Sequence, residues 1–272
     1  MKPRAFTYIR PATITEAVDA LSHYGERARV LAGGQSLMAM MNFRLVEVDA
    51  LIDISRLAEL SRIRVTDGAL EVGAAVTQNQ LLLSPELKSH VPLLAEMLPW
   101  VGHFQTRNRG TVCGSIAHAD PSSEIPLALA LLGGCVVLQS KRGTRTLSAD
   151  QFQTGILSTA RAPDEMIVAA RFPANGKSGH AFRETSRRHG DFAIVGIAAL
   201  KTGANTLRLG FGGVSSRPFI STLEGGNAKA VTDEIEKLVW QFDGYEDMHA
   251  TSRMRRDLVR RMAPALIEEA FA

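Results

Sequence analysis

The stretch Leu31-Ala32-Gly33-Gly34-Gln35-Ser36-Leu37 is the part of this sequence that decides the fold of its N-terminal region. An apolar segment that can form a strand precedes it, and a run with helical spacing follows it. Glycines at such a turn permit φ > 0 and let the backbone approach a ligand closely. Backbone N–H groups ahead of a helix can bind phosphate oxygens. The stretch therefore predicts either an anion-binding loop or a tight strand–helix connection.

A second glycine turn, Gly110-Thr111-Val112-Cys113-Gly114-Ser115, combines the same features with more polar groups. Arg107 and Arg109 precede it, and their charges suit a pyrophosphate. The hydroxyls of Thr111 and Ser115 stand beside glycine amides. Two such turns in one chain suit a pyrophosphate held from two sides, which predicts a dinucleotide.

Two carboxylates follow the second turn at helical spacing, Asp120 and Glu124. Such groups can accept hydrogen bonds from ribose hydroxyls or from an adenine amine. Asp120 also fits a simple helix N-cap, because Pro121 follows it at a position that opens helices.

The first turn does not match the common nucleotide-binding fingerprints. It lacks the Lys-Ser/Thr pair of a Walker A loop and the spacing of a Gly-x-Gly-x-x-Gly motif. No Ser/His/Asp or Cys/His arrangement for nucleophilic catalysis is visible, so we assign no catalytic residue. Redox chemistry would then come from a cofactor, with the protein supplying orientation and electrostatics.

Composition limits the class of protein. The chain has 272 residues, 45% of them hydrophobic, and a net charge of +3, which suits a two-domain protein without a nucleic-acid partner. The five arginines between residues 253 and 261 are interpreted as a solvated helix face. The first ten residues lack the apolar region of a signal peptide. The longest apolar stretch, Ile125–Leu138, is too short to span a membrane.

Metal binding is not predicted. The two cysteines, Cys113 and Cys135, are too few for an iron–sulfur cluster or a structural zinc site. His103 and His118 lie near the second turn, without a third ligand at suitable spacing. Free cysteines indicate a reducing compartment, and we expect the protein to be cytoplasmic.

Secondary-structure signals alternate between helix and strand. Thr13 and Glu16 open a helix that Gly25 ends, and strands are predicted at Ala28–Ala32 and Leu51–Ile54. This order makes the first 55 residues a small α/β unit. A hairpin is predicted over 62–73, turning at Asp67-Gly68.

The C-terminal part has a different pattern. Gly176–Gly179 lacks apolar periodicity and is the predicted domain boundary. Antiparallel strands are predicted at Phe192–Leu200 and Thr206–Val214. Helices at about Thr232–Gln241 and Ser252–Phe271 close the chain.

Four ordered motifs resemble one known family. Leu31–Leu37 looks like the first FAD-pyrophosphate loop of the medium subunits of molybdenum hydroxylases, the xanthine dehydrogenase and carbon monoxide dehydrogenase type. The segment from Arg107 to Pro126 resembles the second loop. Arg188-His-Gly-Asp-Phe-Ala193 and Gly212-Gly-Val-Ser-Ser-Arg-Pro218 resemble elements of the family's C-terminal domain. The resemblance covers essentially the whole chain.

The resemblance implies an α+β fold. It consists of a PCMH-type, vanillyl-alcohol-oxidase-like FAD-binding domain over 1–175, with α/β subdomains of about 1–55 and 56–175. A carbon monoxide dehydrogenase flavoprotein-like domain with a three-stranded antiparallel sheet and helices follows over 176–272. The residues implied to bind FAD are Ala32, Gly33, Gly34, Gln35, Ser36, Thr111, Val112, Cys113, Gly114, Ser115, Asp120, Glu124 and Arg188.

The resemblance also implies partners. A large molybdopterin subunit would oxidise the organic substrate, and a small subunit with two 2Fe–2S clusters would pass electrons to FAD on this chain. A dimer of such heterotrimers is expected. The sequence departs from the family pattern in the second loop, where Cys113 replaces the usual glycine. Either position 113 has an ordinary φ, or Cys113 packs beside the flavin.

Two other functions compete with this interpretation. One is a stand-alone FAD-dependent oxidoreductase acting on a small molecule. The other is a non-redox nucleotide-binding module, which would be colourless. An independent oxidase of the related FAD fold would normally need an additional substrate domain, and no such domain is predicted in this sequence.

Overall fold

Three main β-sheets organise the computed structural model, which describes residues 2–224 and 228–272. The first sheet is parallel, in the order β1-β3-β2, and its register pairs Thr7 and Ala28 with Ala50 from either side. Its elements are β1 (Thr7–Ile9), α1 (Ile14–Tyr24), β2 (Ala28–Leu31), α2 (Leu37–Asn42) and β3 (Ala50–Asp53).

Local signals set the bounds of α1 as predicted. The Thr13 side chain accepts the N–H of Glu16 at 3.1 Å, and Gly25 ends the helix at φ 55°. Ala17, Val18 and Leu21 form the buried face. The three strands run in one direction, so β2 delivers residues 32–36 to the carboxyl edge of the sheet, where ligands commonly bind.

The second sheet is antiparallel, with five strands in the order β4-β5-β10-β6-β7. The predicted hairpin is confirmed, with Asp67 at φ 50° and Gly68 at φ 74° in its turn. The elements of this part are β4 (Ile63–Thr66), β5 (Ala69–Gly73), α3 (Gln78–Leu82), α4 (Pro85–His90), α5 (Pro92–Met97), α6 (Phe104–Arg107), α7 (Val112–His118), α8 (Glu124–Leu131), β6 (Cys135–Ser140), β7 (Gly143–Ser148), α9 (Ala149–Phe152), β8 (Gln153–Gly155), β9 (Ser158–Thr159) and β10 (Met166–Pro173).

The third sheet has four antiparallel strands, which corrects the prediction of three. Its order is β11-β12-β13-β14. Helix α11 packs on β11 and β12, α5 packs on β11, and α8 packs on β12 and β13. Only β12 and β13 are predicted from the sequence as individual strands. In β11, four of the six residues are polar and only Ala181 and Phe182 are buried, so no alternating pattern marks this strand. The elements are β11 (His180–Thr185), β12 (Val195–Lys201), β13 (Thr206–Gly212), β14 (Phe219–Glu224), α10 (Ala228–Leu238) and α11 (Ser252–Phe271).

The structure also corrects the first residue of two predicted elements. The strand predicted from Phe192 begins at Val195, because Phe192 is 58% exposed in the preceding loop. Helix α8 begins at Glu124 and not next to Asp120. Asp120 instead accepts the N–H of Ser122 at 2.8 Å, which forms a turn ahead of the helix.

A row of glycines lets α8 lie close to the third sheet. Gly196 and Gly212 are paired across β12 and β13. A Cβ on Gly210 would lie 3.0 Å from Leu127 Cδ1, and one on Gly212 would lie 3.4 Å from Leu127 Cδ2. Side chains at these positions would push α8 away from the third sheet. The glycines therefore allow α8 to pack directly on that sheet.

Arg255 is a buried anchor of the C-terminal helix. Its side chain is 1% exposed, and its Nη1 donates to the carbonyl of Gly213 at 2.7 Å and also to that of Ile194. Its Nη2 lies 2.7 Å from Asp247 Oδ1. One guanidinium thus ties α11 to the start of β12 and the end of β13. None of the helices among the described residues is both long enough and apolar enough to cross a membrane.

Arg255→Ala should lower the free energy of unfolding of the apo chain by about 3 kcal/mol or more, because it leaves buried carbonyls and a carboxylate without their donor. Denaturant unfolding measures the change. The control is Arg253→Ala, an exposed position on the same helix, expected within about 0.5 kcal/mol of wild type. Equal losses in the two variants would contradict the anchoring role.

Candidate cofactor site

A cleft of about 700 Å3 lies where the first sheet, the second glycine turn and the loop after β11 meet. This volume is within the range of cofactor and ligand pockets, about 300–1,000 Å3. Predicted site residues in its wall are Ala32, Gly33, Gly34, Gln35, Ser36, Thr111, Cys113, Gly114, Ser115 and Glu124. The fold thus brings both glycine turns to one cleft.

The two turns touch through their backbones. A Cβ placed on Gly33 would lie 2.1 Å from the carbonyl oxygen of Arg109 and 2.7 Å from the Cα of Gly110. No side chain fits in that space. Gly34 has φ 71°, a conformation that other residues rarely adopt. The sequence Gly-Gly is therefore needed both for the contact and for the turn.

The first turn leaves donors available. Among the described residues, the N–H groups of Gly34, Gln35 and Ser36 donate to no backbone carbonyl. The Gln35 side chain donates Nε2–H to the carbonyl of Gly33 at 3.2 Å, across the turn. Successive N–H groups of this kind suit phosphate oxygens.

The second turn is held by the start of α7. Thr111 caps the helix by accepting the N–H of Gly114 at 3.0 Å, and a Cβ on Gly114 would lie 2.7 Å from the Thr111 Oγ1. The N–H of Gln78 donates to Gly110 at 2.8 Å. Val112 donates its N–H to the carbonyl of Val76 at 3.2 Å. The turn is thereby attached to the segment that leads from β5 into α3.

Cys113 lies within α7 and does not have a positive φ. Of the two alternatives for this position, the ordinary φ is therefore the one observed. Its side chain is 3% exposed, and its Sγ lies 3.5 Å from the carbonyl oxygen of Val72. Burial raises the pKa of the thiol to about 12. The residue contributes to the cleft wall as an uncharged, packed group.

Two arginines in the wall, Arg29 and Arg161, were missed by sequence reasoning. Burial, and next the charge of Arg29, lower the pKa of Arg161. Two cations that repel one another in a cleft favour an anion between them. Arg29 precedes the first turn in β2, which offered a signal, whereas Arg161 follows the β8–β9 hairpin and only the fold brings it near.

Other missed wall residues are Gln78, His118 and the segment Gly190–Phe192. The Gln78 side chain is 5% exposed, and its Oε1 has no hydrogen-bond partner among the described residues. Burial lowers the pKa of His118. Burial, and next the charge of Asp120, raise the pKa of Glu124 to about 7.

Three predicted residues lie outside the cleft wall. Val112 is fully buried in the core, and Asp120 is engaged with Ser122. The side chain of Arg188 is 79% exposed and lies 3.8 Å from Asp191, a residue of the wall. Their contacts with a cofactor stay predictions.

The cleft fits FAD on three observations: backbone donors without acceptors, two neighbouring arginines, and a contact that excludes a side chain at Gly33. In residues 2–224 and 228–272, no three His, Cys, Asp or Glu side chains cluster as a metal site.

Comparison with known proteins agrees with this chemistry. Residues 4–175 match the model of the FAD binding domain in molybdopterin dehydrogenase. The chain belongs to this family. It is a FAD-binding protein of the oxidoreductases, similar over its whole length to the medium subunits of molybdenum hydroxylases.

Its relatives carry names of dehydrogenase subunits. The chain is 33% identical to the 6-hydroxypseudooxynicotine dehydrogenase complex subunit alpha of Paenarthrobacter nicotinovorans, covering 100% of this chain and 96% of the relative. It is 35% identical to the carbon monoxide dehydrogenase medium chain of Hydrogenophaga pseudoflava, covering 87% and 84%. A structure of carbon monoxide dehydrogenase from that organism superposes with a TM-score of 0.94 at 31% identity, covering 100% and 99%.

Gly33→Ala should weaken FAD binding by about tenfold or more. Overpacking costs about 1–3 kcal/mol, and about 1.4 kcal/mol corresponds to tenfold. The added Cβ would force the two turns apart. The control is Gly179→Ala, whose Cβ would lie 2.1 Å from the carbonyl oxygen of Ala270, outside the cleft wall. Titration of the apo chain with FAD measures both. If folded Gly33→Ala bound FAD with unchanged affinity, the first turn would be a structural connection and not part of the FAD site.

Cys113 should resist alkylation in the folded chain. Its raised pKa and burial leave little thiolate, so it should react with iodoacetamide about tenfold or more slowly than the partly exposed Cys135. Peptide mass spectrometry over a time course gives both rates. Denatured chain is the control, in which the two rates should be equal. Similar rates in the folded chain would contradict the packed state of Cys113.

Proposed function

We propose that this chain is the electron-transfer flavoprotein of a heterotrimeric molybdenum hydroxylase, with FAD bound in the cleft between the two glycine turns. The observation that carries the proposal is the contact of Gly33 with the backbone of Arg109 and Gly110, by which the two glycine turns line one cleft. Family membership over residues 4–175 supports it.

In this proposal the N–H groups of residues 34–36 and the start of α7 hold the pyrophosphate. Arg29 and Arg161 offset its charge. Glu124 contacts a hydroxyl of the ribityl chain or the ribose. Asp120 and Arg188 lie outside the cleft wall, next to the residues that contact FAD. FAD, when bound, supplies the redox chemistry by accepting electrons and passing them on singly or as a pair.

The proposed division into domains follows the sheets. A PCMH-type FAD-binding domain of two α/β subdomains would span 1–175, with its subdomains meeting near residue 55. The C-terminal domain would span 176–272. The end of the family match at residue 175 supports this boundary.

The remaining redox centres would lie on partner chains. This chain has two cysteines, too few for a cluster, and one of them is buried at Cys113. The proposal therefore includes a large molybdopterin subunit, a small subunit with 2Fe–2S clusters, pairing of heterotrimers and a cytoplasmic location. Relatives named as a medium chain and as a complex subunit support the multi-subunit state.

The experiment purifies the tagged chain with its partners from the native host and screens compounds for loss of flavin colour without oxygen. Carbon monoxide and 6-hydroxypseudooxynicotine, named for relatives, enter the screen. A compound that bleaches the complex should leave the isolated, FAD-loaded chain oxidised, because this chain would not contact the substrate.

Bleaching of the isolated chain by the same compound would support a stand-alone oxidoreductase and contradict the relay role. A purified chain that takes up no FAD would contradict the flavoprotein assignment itself. The control variant for uptake is Gly68→Ala, a positive-φ glycine in the hairpin with open space around it, which should keep FAD.

A further inference from the structure

Gln78 is a buried amide whose side chain has no hydrogen-bond partner in the part of the chain that the structure describes. The residue is 5% exposed and lies in the wall of the cleft. A buried polar group normally has a partner, because leaving it unpaired destabilises the fold. The Gln78 amide is therefore available to a molecule bound in the cleft.

Two other glutamines show what the same amide does elsewhere in the chain. Gln80 accepts the N–H of Thr77 at 2.8 Å with its Oε1, which completes the capping box of α3. Gln153 is 3% exposed and donates its Nε2–H to the carbonyl of Pro126 at 3.3 Å. Each of these amides has a partner within the protein, which distinguishes them from Gln78.

The position of Gln78 is set by its backbone and not by its amide. Gln78 is the first residue of α3, and its N–H donates to the carbonyl of Gly110 at 2.8 Å. The preceding residue, Thr77, forms an isolated antiparallel bridge with Thr111. These backbone contacts do not depend on the side chain at position 78. The amide is therefore not needed to attach α3 to the second turn.

The Gln78 amide lies next to the point where the two glycine turns meet. A Cβ on Gly110 would lie 3.3 Å from both Nε2 and Oε1 of Gln78. The Cα of the same Gly110 is 2.7 Å from the Cβ position of Gly33. One glycine thus contacts the first turn and also lies against the amide.

The two ends of the amide differ in exposure. Oε1 is buried, whereas Nε2, which is likewise unpaired among the described residues, is not. Since Gln78 lines the cleft, Nε2 is the end that faces it. An amide nitrogen carries two N–H donors and no acceptor. It therefore adds donors to the wall, as the N–H groups of residues 34–36 do.

We propose that Gln78 is a binding residue for FAD: its Nε2–H donates to a pyrophosphate oxygen next to Gly110. This inference rests on the proposed function, which places the pyrophosphate between the two glycine turns. A neutral amide supplies a donor without a further charge in a wall that already holds Arg29 and Arg161. Hydrogen bonds to charged oxygens are stronger than those between neutral groups, so this bond offsets the cost of the unpaired Oε1.

Titration of the apo chain with FAD at about pH 8 gives the dissociation constant of each protein. Gln78→Met has a side chain of similar size without donors, so its constant should be about tenfold or more above that of wild type. Gln78→Glu brings a negative charge towards the phosphates, so its constant should rise further. Gln153→Met, a matched change at a buried glutamine outside the cleft wall, should bind FAD as wild type does.

Unfolding of the apo chain separates binding from structure. Gln78→Met removes a buried oxygen without a partner, so its unfolding midpoint should equal or exceed that of wild type. Gln153→Met breaks the hydrogen bond to the carbonyl of Pro126, so its midpoint should fall by about 2 °C or more. The first variant thus loses affinity without losing stability, and the second does the opposite. A purely structural role for Gln78 would lower both quantities together.

Phosphorus NMR reports on the contact itself. With protein and FAD at concentrations above all the dissociation constants, the pyrophosphate resonances of bound FAD should differ between wild type and Gln78→Met. The same resonances should coincide in wild type and Gln153→Met.

Wild-type affinity in Gln78→Met, or in Gln78→Glu at about pH 8, would overturn the contact and leave the proposed function intact. Weaker binding by Gln78→Met with a matching loss of apo stability and unmoved phosphorus resonances would also overturn it, because Gln78 would then only support the turn. If the wild-type chain took up no FAD, the proposed function would be contradicted, and the contact would fall with it.

Discussion

The contact between Gly33 and the backbone of Arg109 and Gly110 is the constraint on which the rest of the site depends. It joins a loop of the parallel first sheet to a loop that precedes α7. Only hydrogen fits at the Gly33 Cα, so the distance between the two glycine turns is fixed by backbone atoms. Flexible side chains could not set it so narrowly. The N–H groups of residues 34–36, which donate to no backbone carbonyl among the described residues, directly follow this contact.

A second close approach determines how the C-terminal sheet meets the cleft. Helix α8 starts in the cleft wall with Glu124 and continues over the glycines of β12 and β13. Glu124, a residue of the cleft wall, is thus on the same helix that contacts the third sheet. Arg255 holds the strand ends of that sheet from its other side. Packing of the third sheet therefore bears directly on the cleft.

Sequence reasoning found what local chemistry encodes. The glycine turns, the capping of α1 by Thr13 and the hairpin at Asp67-Gly68 each depend on neighbouring residues, and the structure has all of them. Arg161 and Gln78 could not be found, because only the fold brings them to the cleft. Strand β11 was missed because four of its six residues are polar and its burial does not alternate. Asp120 was given a cap role that its turn with Ser122 replaces.

The separation of the two turns along the chain has a consequence for how the cofactor site forms. Gly33 and Arg109 belong to segments that fold around different sheets, so their contact is non-local. The chain between them must lose conformational entropy before the contact can form. During synthesis, the first turn emerges long before its counterpart exists. The nascent N-terminal unit thus carries only one of the two turns. Cofactor binding is therefore a late event, and it stabilises the folded state by mass action.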